Sequence, residues 1–141
     1  MKIGIVGYSG KSFPIFKASN LIKQSISLIV KKANLISTKA EIEIVSGGTD
    51  YGIPALTYSI FKNKVSLVAI VPKIALTMNF CEVDKTIVIG ENFGDESDHF
   101  LKYIDSLIRI GGGEQSLKEA ELFKKLKPKG ILIEHELEFY K

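Results

Sequence analysis

A chain of 141 residues, 45% of them hydrophobic, is the size of one ordinary domain and apolar enough to bury a single core. Its charged fraction is 25% and its formal charge +3, carried by scattered lysines with Arg109 as the sole arginine; nucleic-acid surfaces concentrate cations and favour arginine, so no nucleic-acid partner is expected. One cysteine, Cys81, cannot close an internal disulfide, and no apolar run approaches the ~20 residues that span a bilayer, so the expectation is a reduced cytoplasmic setting with no membrane partner.

The run Lys2 to Gly7 is short, β-branched and followed by turn residues, the pattern of a buried parallel strand. After Pro14, tolerated in a first helical turn, Ile15, Phe16, Leu21, Ile22, Ile26, Leu28, Ile29 and Val30 predict a long, mostly covered helix. The alternation then repeats: a strand over 42–45, a helix over 51–61, a strand over 65–71 closed by Pro72, and a short irregular piece. A strand over 86–89, a polar stretch around 91–98 and a helix through Phe100 to Tyr103 follow. A strand over 106–110, a helix over 117–126 and a last strand over 130–133 complete the chain. The tail Glu134–Glu138 alternates in charge and reads as a sheet edge or a mobile end. Strands alternating with helices predict an α/β fold: one three-layer Rossmann-like domain with a mainly parallel sheet and helices on both faces.

Three strand-to-helix turns share one design: Gly7-Tyr8-Ser9-Gly10-Lys11-Ser12, Ser46-Gly47-Gly48-Thr49-Asp50-Tyr51-Gly52 and Gly111-Gly112-Gly113-Glu114-Gln115-Ser116. In a parallel sheet all such turns lie at the carboxyl edge, where ligands bind at the point of strand-order reversal. Glycine admits close backbone approach, and N–H groups at a helix start together with Ser or Thr hydroxyls attract phosphate or carboxylate. The alternative for each turn taken singly is ordinary turn and cap chemistry. The P-loop pattern G-x-x-x-x-G-K-[ST] fails at Gly10-Lys11-Ser12, because Ile5 stands where its first glycine belongs, and a full G-x-G-x-x-G is absent.

Taken with this architecture, the segments from Ser46 to Ala55 and from Gly111 to Glu119 resemble the LOG family of phosphoribohydrolases, once called lysine decarboxylase-like, and the wider SLOG group of Rossmann-like nucleotide binders. In the P-G-G-x-G-T-x-x-E motif of LOG proteins, Gly112, Gly113 and Glu119 match, while Gly111 replaces proline, Gln115 glycine and Ser116 threonine. In S-G-G-G-x-x-G, Ser46, Gly47, Gly48 and Gly52 match and Thr49 replaces the fourth glycine. The resemblance implies a nucleotide-like ligand, with its phosphate among Gly7, Tyr8, Ser9, Gly10, Ser12, Ser46, Gly47, Gly48, Thr49, Gly52, Gly112, Gly113 and Ser116, and a homodimer. It also implies a catalytic role for Glu119 in releasing the base of a nucleoside 5'-monophosphate; a carboxylate suits an oxocarbenium-like transition state.

Two features oppose catalysis. The family's arginine has no counterpart between Lys73 and Lys85, and Ser116-Leu117-Lys118-Glu119 has the form of a capping box, which gives Glu119 a helix-start role instead. Asp50, Tyr51 and Glu114 are further rim candidates, each also explicable as a surface residue. Phe93, Phe100 and Tyr103 are candidates for base stacking, with core packing the expected use. Cys81 reads as packing rather than as a nucleophile, His99 and His135 lack ligand spacing, and no cofactor or metal is implied. Three readings emerge: a nucleotide-binding protein, a hydrolase of N-glycosidic bonds, and a protein-interaction module that kept the fold and lost the ligand.

Overall fold

A computed structural model describes residues 1–10, 12–33 and 42–138; Lys11, within the first glycine turn, lies outside them. Six strands, β1 (Lys2–Gly7), β2 (Glu43–Ser46), β3 (Ser66–Val71), β4 (Lys85–Val88), β5 (Ser106–Ile110) and β6 (Ile131–His135), alternate with four helices, α1 (Ile15–Lys32), α2 (Gly52–Phe61), α3 (Ser97–Tyr103) and α4 (Glu114–Leu126). A 3-10 turn over Lys73–Thr77 joins β3 to β4.

All the strand pairs are parallel and the order is β4-β3-β2-β1-β5-β6. The chain therefore steps outward from β1 to β4, returns across the sheet, and resumes on the other side of β1 with β5. Strand order reverses between β1 and β5, where Gly7 is registered against Ile110. That is the point at which open parallel sheets leave a crevice for ligands.

The period-2 alternation of the central strands serves two cores. Ile3, Ile5, Ile44, Ile108 and Ile110 face α1 and α2, where Ala18, Ile22, Ile26 and Ile29 form the buried stripe of α1. Val45, Val68, Ile70 and Leu107 face α3 and α4, against Phe100, Leu101, Ile104, Ala120 and Phe123. Each fully buried isoleucine contributes roughly 1.5–3 kcal/mol, so two covered faces are what make the β-branched runs necessary. Gly4 lets α3 lie close on β1: a Cβ there would stand 2.6 Å from Ile104 Cδ1. The lysine runs Lys31-Lys32 and Lys124-Lys125 occupy the last turns of α1 and α4, where cations complement the helix dipole.

One expectation changes. The helix predicted over 117–126 begins at Glu114, with Gly113 as its N-cap and no side-chain cap, so the Ser116–Glu119 capping box does not form. Ser116 sits in the first turn, and its hydroxyl turns back to donate to the carbonyl of Gly113 at 3.0 Å. Of the two readings of the tail, the sheet edge holds: β6 is the edge strand and runs through His135, and beyond it Leu137 is buried in the same core as α1 and α2.

Candidate functional site

The three glycine turns do converge. They open onto one cleft of about 810 Å³ at the carboxyl edge of the sheet, lined by Gly7, Tyr8, Ser9, Gly10, Ser46 to Thr49, and Gly112 to Ser116. Its volume is in the range of cavities that enclose small ligands. Ser12 and Gly52 are not among the lining residues, and neither is Asp50; Tyr51 and Glu114 are.

The glycines divide by what a side chain would meet. Gly52 has φ +73°, and a Cβ there would strike the Tyr8 carbonyl; the next residue, Ile53, donates its N–H to that same oxygen at 2.7 Å, so this glycine docks α2 on the β1 turn. Gly112 has φ +99°, and its missing Cβ lets Ser116 and the Gly7 backbone close up at the reversal point. At Gly10, Gly47 and Gly113, by contrast, a Cβ would meet nothing within 4 Å. Those three border the open cleft, where bare backbone can approach a ligand. The start of α4 adds its first N–H groups, a site suited to an anion.

Several polar side chains in and around these turns direct their hydrogen bonds to the frame. Ser46 Oγ donates to the Ile5 carbonyl at 2.6 Å and is buried. The Tyr8 hydroxyl donates to Leu137 O at 2.8 Å while its ring stacks on Phe13. Tyr58 donates to the carbonyls of Gly47 and Val68 at 2.8 and 2.9 Å, pinning the β2 turn from below. The Cys81 thiol donates to Thr49 O at 3.3 Å; burial, with the nearby Asp50 charge, pushes it up to about 11, so it stays protonated and inert as a nucleophile.

Glu119, in the second turn of α4, lines the cleft and has no hydrogen-bond partner among the described residues. Burial first, and then the neighbouring charge of Glu96, push its carboxyl up to about 7. Glu96 immediately precedes α3 and also lines the cleft; burial is the main cause of its own upward shift. The Gly94 N–H donates to Glu96 Oε2 at 3.0 Å and fixes its orientation.

Sequence reasoning passed over Glu96, which lies within the stretch read only as polar. That stretch is a built loop: Asp95 Oδ2 accepts the N–H groups of Glu91 and Asn92 at 3.0 and 2.9 Å, which hold its carboxyl low, and Lys73 N–H donates to Gly90 O. The loop presents Phe93, 52% exposed, to the cleft, which Tyr51, 43% exposed, also lines. Phe93 is thus not core, contrary to expectation. Phe100 is buried and forms part of the floor, as expected of a packed aromatic, and Tyr103 lies away from the cleft, donating to Glu43 Oε1 at 2.5 Å. The signal available in the sequence was an aromatic residue placed among six polar or glycine neighbours, Gly90 to Glu96.

Arg109 does not reach the cleft. It is 3% exposed in β5, where Nε meets Glu134 Oε2 at 2.7 Å, one Nη pairs with Glu136, and the other donates to the Gly111 carbonyl at 3.0 Å. The only arginine therefore braces the third glycine turn against the tail. Among the described residues no cluster of three or more His, Cys, Asp or Glu is arranged to hold a metal ion, and no helix is long and apolar enough to cross a membrane.

No protein-family model matches the sequence, and no curated protein matches it. Among solved structures the chain is similar to TM1055, a structural-genomics target, at 21% identity over 89% of this chain and 69% of that one, with a TM-score of 0.65. It is also similar to the molybdenum cofactor carrier protein of Chlamydomonas reinhardtii, at 18% identity over 94% of this chain and 74% of that one, with a TM-score of 0.67. At such identities the likeness establishes the Rossmann-like α/β fold.

Proposed function

We propose that the cleft binds a nucleotide or nucleotide-derived ligand, its phosphate against Ser9, Gly10 and the start of α4, and its ring between Tyr51 and Phe93. The observation that carries this reading is the convergence of bare backbone at Gly10, Gly47 and Gly113 with a helix N-terminus at the strand-order reversal, facing two exposed aromatic rings. A molybdenum cofactor carrier among the solved structures of this fold adds cofactors of that kind to the candidates. A thermal-shift panel of nucleoside mono-, di- and triphosphates, cyclic nucleotides, NAD, ADP-ribose and molybdenum cofactor tests it. A ligand at 100 times its Kd stabilises by about 2.7 kcal/mol. A flat panel with folded protein rejects the reading in favour of an interaction module.

A second reading, a LOG-like hydrolase of the N-glycosidic bond of a nucleoside 5'-monophosphate, is favoured by Glu119. Released from the capping role, its carboxyl faces the cleft with no hydrogen-bond partner among the described residues and titrates near neutrality, as a proton donor to a leaving base requires. Base release measured by chromatography, lost in Glu119→Gln with nucleotide binding retained, is the expected result; undiminished turnover in that variant refutes it. The homodimer implied by the resemblance belongs to the same reading and is checked by light scattering.

A further inference from the structure

Glu96 and Glu119 reach the cleft from two different elements that pack together on one face of the sheet. α3 and α4 pack together, with Phe100 and Leu101 on one side and Ala120 and Phe123 on the other in one buried cluster, and both Glu96, the residue before α3, and Glu119, in the second turn of α4, line the same cleft. The two carboxylates are near enough for one charge to act on the other. Their surroundings differ. The Glu96 carboxylate accepts the Gly94 N–H, whereas Glu119 is held by no hydrogen bond among the described residues. An N–H bond favours the ionised form and its absence the protonated one. Two neighbouring carboxyl groups in unlike environments are the arrangement that separates an acid from a base.

We propose that Glu96 is a second catalytic carboxylate, dividing one N-glycosidic cleavage with Glu119: Glu119 protonates the departing base, and Glu96 supplies negative charge beside the ribose and takes the proton of the attacking water. This rests on the hydrolase reading above. In the step, the bond from ribose C1' to the base nitrogen breaks and its electron pair goes to that nitrogen, which receives the Glu119 proton. Water oxygen bonds to C1' and yields its proton to Glu96. Transfer of that proton back to Glu119 through the cleft restores the resting state, so the net reaction consumes one water and gives ribose 5-phosphate and free base. No redox partner enters. The substrate class follows: a nucleoside monophosphate whose base leaves only when protonated, its ring against Phe93, three residues from Glu96 and on the same loop.

The roles separate by leaving-group chemistry. With a nucleoside 5'-monophosphate as substrate, Glu119→Gln and Glu96→Gln are each expected to lose 10²–10⁴-fold in turnover, the contribution of a positioned acid or base. With 4-nitrophenyl ribofuranoside 5-phosphate, whose leaving group departs as a stable anion without a proton, Glu119→Gln recovers to within about tenfold of wild type and Glu96→Gln stays slow. Recovery of Glu119→Gln also shows that variant folded; for Glu96→Gln, retention of the wild-type thermal shift with nucleoside monophosphate serves the same purpose. If Glu96→Gln matches wild type on both substrates, the assignment of Glu96 is wrong while the hydrolase reading stands. If wild type releases neither base nor nitrophenolate, both are overturned.

Discussion

Replacing Glu119 with glutamine should stabilise the protein at alkaline pH even as it removes activity. The wild-type carboxyl ionises near 4.5 in an unfolded chain but near 7 in the cleft, because burial and the Glu96 charge oppose its anion. The folded state therefore holds the proton more tightly than the unfolded one. The stability this carboxyl contributes is complete below pH 4.5, falls as the pH rises from 4.5 to 7, and is gone above that. The loss corresponds to about 3 kcal/mol at 1.36 kcal/mol per pH unit of displacement. Glutamine has the same shape and no charge, so Glu119→Gln lacks this descent. Urea denaturation should find the variant about 3 kcal/mol more stable than wild type at pH 8, with that advantage gone at pH 4. A difference between the two proteins that does not change with pH would refute the reasoning, since a pure packing effect has no reason to titrate.

Adjacent glycines should separate folding from binding. Gly112→Ala, at φ +99° and against Ser116, costs about 1–3 kcal/mol in denaturation, whereas Gly113→Ala leaves stability within about 0.5 kcal/mol but places a methyl in the cleft and abolishes the ligand-induced thermal shift. Phe93→Ala, at an exposed ring, leaves the melting temperature unchanged and weakens nucleotide affinity in calorimetry by about 1–3 kcal/mol, the range for one lost base–aromatic stack. Arg109→Met removes two ion pairs and the brace on Gly111; since Glu134 and Glu136 keep access to solvent, the cost is that of the weakened Gly111 carbonyl, about 1–3 kcal/mol, while Glu136→Gln, at an exposed partner, costs under about 1 kcal/mol.

Strand and helix order was legible because each element carries its own period: β-branched runs such as Leu67 to Val71 for a strand covered on both faces, and the Ala18, Ile22, Ile26, Ile29 stripe for α1. The convergence of the glycine turns was legible as well, since parallel topology brings every strand-to-helix turn to one edge. What each glycine does was not. Gly112 and Gly113 are neighbours of identical composition, and only φ and the packing of Ser116 distinguish a hinge of the fold from a wall of the cleft. The start of α4 was misplaced because Ser116-x-x-Glu119 satisfies a local capping pattern that tertiary packing overrides: Ser116 is drawn inward beneath Gly112, and the helix takes its first turn from Glu114. Glu96 escaped notice because nothing in its local sequence signals that the loop before α3 turns it to the cleft.

The end of β6 and the two residues after it tie both sides of the reversal point. His135 O accepts the N–H of Gly111 at 2.7 Å, Glu136 pairs with Arg109, and the Leu137 carbonyl accepts the Tyr8 hydroxyl. One stretch of three residues thus fastens the first and third glycine turns to each other from behind. Coupling of this kind is reciprocal: whatever a ligand gains by ordering those turns, the tail gains in resistance to fraying. Hydrogen exchange at the Gly111 amide should then slow when the cleft is filled, and a Leu137→Ala variant should bind more weakly although every residue that lines the cleft is intact.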